Sequence, residues 1–167
     1  LVNDSYQDLL ALIETAKEKI GIYKMGGSKY DKKRNTLTRQ LLDWYAELNN
    51  AMDGRFNEDY GQWICTYADY TKTWDERLIY YQQAAELPSW NGLCNLANLQ
   101  MMMAFANTGF VEASRDGFQK ALAMNPPDSI QTEIQQKLDQ FPDFYVALST
   151  GDTVYLYVGA PVSTVLY

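Results

Sequence analysis

The sequence predicts a mainly α fold: stacked antiparallel helix pairs, as an α-solenoid or an irregular helical bundle, with a small C-terminal antiparallel β-meander. Three observations carry this. Apolar residues recur at three-four spacing through most of residues 1–143. Glycine, proline and asparagine clusters interrupt that spacing again and again, as turns between helices do. The last 24 residues hold one charge, Asp152, and are rich in β-branched and aromatic side chains. Two units follow: a helical domain over 1–143 and a meander over 144–167, packed on it or shared with a neighbouring subunit.

Residues 4–23 form the first expected helix, with Leu9, Leu10, Ile13, Ala16 and Ile20 on one stripe and Asp4 or Ser5 as cap. Gly26-Gly27-Ser28 breaks it, and the basic run Lys29 to Arg34 reads as a solvated loop. A second helix, about 36–53, carries Leu37, Leu41, Trp44, Tyr45 and Leu48. Asn57 opens a third, with Tyr60, Trp63, Ile64 and Tyr67 inward; a fourth runs from about Trp74 until Pro88. Ser89 caps a fifth, closed by Asn107-Thr108-Gly109; a sixth ends at Asn125-Pro126-Pro127. The seventh, Ile130 to Phe141, stops at Pro142. Three strands are then expected, Phe144–Ser149, Thr153–Val158 and Val162–Tyr167, separated by Thr150-Gly151-Asp152 and Gly159-Ala160-Pro161.

Composition narrows function mainly by exclusion. There is no histidine, which removes Ser-His-Asp and Cys-His catalysis, His-ligated zinc or haem, and the Glu-x-x-His di-iron pattern. No Gly-rich phosphate loop or metal-spaced acidic loop occurs, so no cofactor is expected. No uncharged apolar stretch is long enough to span a membrane. The net charge of −7 suits nucleic acid poorly. It is unevenly laid down: residues 1–39 hold eight bases against five acids, and 40–167 six against sixteen. Carboxylates remain the only route to catalysis, with Glu58/Asp59, Asp69 and Asp75/Glu76 as candidates, but acids near helix starts are explained by capping and the dipole. The chain therefore reads as no enzyme.

Cys65 and Cys94 sit in apolar helical contexts. If their helices align at the N-terminal ends a bridge can form; if they align by repeat register the offset is ~12 Å and it cannot. Asn3-Asp4-Ser5 is an N-glycosylation acceptor pattern, and with thirteen tyrosines and few lysines it favours an extracellular or cell-surface setting.

Two stretches parallel each other. Tyr80-Tyr81-Gln82-Gln83-Ala84-Ala85-Glu86-Leu87-Pro88 aligns with Gly117-Phe118-Gln119-Lys120-Ala121-Leu122-Ala123-Met124-Asn125-Pro126. Here the chain resembles the tetratricopeptide repeat family, whose second helix ends in an aromatic-x-x-Ala-Leu-x-x-x-Pro pattern. Asn107 to Ala113 resembles that family's inter-helix turn. Ala84 to Ala121 spans 37 residues rather than ~34, and Met102 stands where the family's first helix carries glycine, so the repeat is degenerate. What the resemblance implies is protein binding in a curved array of helix pairs.

The sequence thus predicts a non-catalytic structural or interaction subunit, self-assembling into an extracellular filament or lattice through its C-terminal strands. Tyr155, Tyr157, Val165, Leu166 and Tyr167 are the expected contacts with other copies, and Lys32, Lys33 and Arg34 the second set. The rival reading is a monomeric adaptor holding a peptide in a helical groove around Trp63, Tyr67 and Asn98.

Overall fold

The computed structural model describes residues 4–150, and all the regular structure among them is helical. The elements are α1 (Asp4–Met25), a 3-10 turn (Ser28–Tyr30), α2 (Asp31–Ala51), α3 (Asn57–Ala68) and α4 (Trp74–Glu86). They continue as α5 (Trp90–Met103), α6 (Gly109–Ala123), α7 (Asp128–Asp139) and α8 (Phe141–Thr150). Packing is sequential: each helix lies mainly on its neighbours in the chain, and α3 additionally reaches α5.

Boundary chemistry sets this order. Gly27 takes φ +83°, a left-handed conformation glycine adopts freely, and turns the chain out of α1. Tyr30 then stacks on Tyr23 with ring centroids 5.6 Å apart, and α2 starts five residues earlier than the apolar spacing suggested. Lys32, Lys33 and Arg34 consequently belong to the first turn of α2, not to a loop. Asp31 in the same turn offsets this unfavourable placement of cations and pairs with Arg34 at 3.2 Å. Asn49 fixes the next corner, its Oδ1 accepting from the Phe56 amide and its Nδ2 donating to Asn57. Thr73 and Ser89 cap α4 and α5 by accepting from the Glu76 and Gly92 amides.

The interior falls into two apolar clusters. One gathers α1 to α4 around Ile13, Ile20, Leu41, Tyr45, Leu48, Trp63 and Ala68, and also takes Leu99 from α5. The other gathers α5 to α8 around Cys94, Met101, Phe118, Ile134, Phe141 and Phe144. Helix α5 serves both. At its start the approach to α4 is so close that a Cβ on Gly92 would run into the Ala84 carbonyl oxygen.

One expectation is overturned. The described residues contain no strand, and Phe144–Ser149, read as the first strand of a meander, lies inside α8. The bundle is helical to Thr150, so the boundary expected at 143/144 falls within a helix. The cause is the spacing of the large groups. Phe141, Phe144 and Ala147 sit three apart and are all buried, which a helix allows and an alternating strand does not. Pro142, read as the stop of α7, instead occupies the first turn of α8, where its missing N–H costs nothing. The other two expected strands, with Tyr155, Tyr157, Val165, Leu166 and Tyr167, lie outside the described residues, as does Asn3.

A tyrosine-lined candidate binding cleft

The residues expected to matter separate into three environments. Lys32 and Lys33 are exposed on the first turn of α2. Arg34, half-buried, lays its guanidinium over the Tyr70 ring, 3.9 Å from the centroid. That contact ties the start of α2 to the turn after α3. Trp63 is fully buried in the first apolar cluster, and Asn98 lies in the interior, so neither lines a groove. Tyr67 does.

Tyr67 stands where α2 meets the α3–α4 pair, shared by two adjoining hollows. One, ≈ 400 Å³, is walled by Asn35, Thr36, Arg39, Gln40 and Asp43 of α2. The other, ≈ 320 Å³, runs past Asn35 to Tyr70, Thr71, Lys72, Glu76 and Tyr80. The rings meet edge to face: Tyr67 and Tyr80 at 5.2 Å and 89°, Tyr67 and Tyr70 at 6.3 Å and 80°. Rings so crossed make ridges with slots between them, and the flanking amides and cations supply hydrogen-bond donors. Tyr70, Tyr80, Asn35 and Lys72 had not been singled out in the sequence. For Tyr70 the signal was present as Tyr67-x-x-Tyr70, whereas Asn35, Lys72 and Tyr80 reach Tyr67 only through the fold.

The candidate carboxylates are occupied with structure. Glu58 accepts from the Trp90 amide at 2.6 Å, the Ser89 hydroxyl at 3.1 Å and the Asn91 amide at 3.3 Å, so it caps α5 from α3. Burial pushes its carboxyl above the usual range, against the pull of those donors. Asp69 accepts from the Tyr81 hydroxyl, and burial raises it too. Asp75 and Glu76 sit in the first turn of α4 beside its Thr73 cap. Cys65 and Cys94 are both buried and free; burial drives the Cys65 thiol far up and Cys94 to about 12.

Lys137 is the interior residue that sequence reasoning passed over. It is wholly buried, donates to Asn98 Oδ1 at 2.6 Å and stands 5.8 Å from the Phe118 ring centre. Burial lowers its ammonium to about 8, partly opposed by electrostatic interaction with the Cys94 and Glu133 side chains. The signal was its register: Ile130, Ile134, Lys137 and Phe141 fall on one stripe.

Among the described residues no group of three or more His, Cys, Asp or Glu side chains could hold a metal ion. No helix among them is long and apolar enough to cross a membrane. Compared with known proteins, the chain matches no family model, no curated protein and no solved structure.

Proposed function

We propose that this chain is a non-catalytic protein–protein interaction module that holds an extended peptide in the tyrosine cleft between α2 and the α3–α4 pair. The observation that carries the reading is the crossed arrangement of Tyr67, Tyr70 and Tyr80 beside Asn35, Arg39 and Lys72. Rigid aromatic ridges give contact area at small entropic cost, and peptide carbonyls find donors along both walls. The likeness to tetratricopeptide helix pairs supports the same reading. Tyr81 and Phe118, the paired aromatics, are both buried, as are the paired alanines Ala84 and Ala121.

The test is selection of peptides from a displayed random dodecapeptide library against the purified chain, followed by titration of the recovered peptides. Tyr67→Ala and Tyr80→Ala should each weaken a recovered peptide by about tenfold or more while leaving helix content unchanged. If the library yields no binders, or only binders indifferent to both substitutions, the cleft is not a recognition site.

Self-assembly is the second reading, and it no longer leans on strands. What favours it is a groove with an apolar floor between α1 and α2, which no other described helix lines.

A further inference from the structure

We propose that the groove between α1 and α2 receives residues 151–167 of a second copy of this chain. The groove is ≈ 430 Å³ and is floored by Ala11, Leu12, Ala16, Leu37 and Trp44. All its lining comes from α1 and α2, so no other described helix covers it. Leu12 is 48% exposed there, a large apolar group left facing water. Asp8, Thr15 and Lys19 complete the lining, so an apolar floor with a polar rim is left open to water, as at a docking surface.

The complementary surface is in the same sequence. Residues 151–167 include Val154, Tyr155, Leu156, Tyr157 and Val158 and carry one charge, Asp152. They follow α8, at the far end of the sequence of packed helices from α1. Fully extended, that segment reaches at most ~60 Å. Helices pack about 8–10 Å apart, so a return along its own molecule would use about 40–50 Å in crossing from α2 to α7, leaving too little to line the groove. A second copy stacked end to end brings the segment straight to the groove. Charge runs the same way. The 3-10 turn and the first turn of α2 present exposed Lys29, Lys32 and Lys33, whereas α7 and α8 hold four acids against the single, buried Lys137. Donor and acceptor surfaces differ, so the contact is heterologous and propagates into a chain or closes into a ring.

The proposal is independent of the tyrosine cleft, and the test keeps the two apart. Sedimentation velocity over a wide concentration range would compare the full chain with Leu12→Glu, which spoils the groove, and Leu156→Asp, which spoils the segment. Mass should grow with concentration for the parent chain and stay that of one copy for each variant. An equal mixture of the two variants should recover a dimer and nothing larger, since it retains one good groove and one good segment. A labelled peptide of residues 151–167 should bind Leu156→Asp at least about tenfold more tightly than Leu12→Glu. That titration also separates a docking defect from misfolding, because Leu156→Asp leaves α1 and α2 untouched. Tyr67→Ala should leave sedimentation unaltered. A parent chain that stays single at every concentration, or a mixture that gives no dimer, or a peptide indifferent to Leu12→Glu, overturns the proposal.

Discussion

The α3–α4 pair and the α5–α6 pair use the same apolar positions and opposite polar solutions. Tyr81 and Ala84 fill the first joint, Phe118 and Ala121 the second, and all four are buried. At the first joint the aromatic carries a hydroxyl that donates to Asp69. At the second there is no hydroxyl, and the Lys137 ammonium from α7 lies over the ring face instead. Backbone spacing differs as well. Gly92 meets the Ala84 carbonyl almost directly, whereas a Cβ on Gly117 would sit 3.3 Å from the Ala97 methyl. The lesson is that shape at a helix joint is held by size and register, while the polar partner is a local choice.

Four substitutions would break or sharpen that comparison. Phe118→Ala empties the second joint and should cost about 3–5 kcal/mol in urea unfolding followed by circular dichroism. A loss under about 1 kcal/mol would mean that the ring is not close-packed against α7. Gly92→Ala should cost about 2–3 kcal/mol, since the clash is with backbone that cannot turn aside. Gly117→Ala, by contrast, should fall within about 1 kcal/mol of the parent, its clash offset by better helix propensity. Equal effects at the two glycines would remove the asymmetry. Tyr81→Phe keeps the ring and deletes the hydroxyl, so about 1 kcal/mol is expected.

The smallest effect is a pH dependence at the second joint. Lys137 has its folded value lowered to about 8 from 10.5. Between those values the unfolded chain binds the additional proton, so stability from this group rises as pH increases through about 8. Both buried thiols act in the opposite sense at higher pH, because only the unfolded chain lets them ionise. Taking the difference between the parent and Lys137→Met cancels the thiols. That difference should move in favour of the parent by about 1 kcal/mol from pH 7 to pH 9. A flat difference would place the ammonium in contact with water.

Most helices were legible because their apolar residues keep one stripe: Leu9, Ile13, Ala16 and Ile20 in α1, or Leu41, Tyr45 and Leu48 in α2. The error at 144–149 arose where composition and spacing disagreed. Phe144, Tyr145 and Val146 are strand-favouring residues, but Phe141 and Phe144 needed one face to reach Phe118 and Phe105. Tertiary packing outweighed local preference. The cleft was half legible: Tyr67 was singled out, but Trp63 and Asn98, its supposed companions, turned inward. Nothing in a single sequence tells an inward aromatic from one at a groove wall when both lie on the same helix. The basic cluster was seen and its setting misjudged, because the stacking of Tyr30 on Tyr23, which lets α2 begin early, joins residues of separate elements.

Because α5 contributes Leu99 to one apolar cluster and Cys94 and Met101 to the other, neither half of the molecule is finished without it. During synthesis the first four helices emerge with their interior still open on one side. They acquire a closed wall only once Ser89 and the turns beyond it have left the ribosome. Folding of the first cluster is thereby tied to the arrival of α5, and a released fragment ending before residue 90 should be far more easily cut by protease than one ending after Met103.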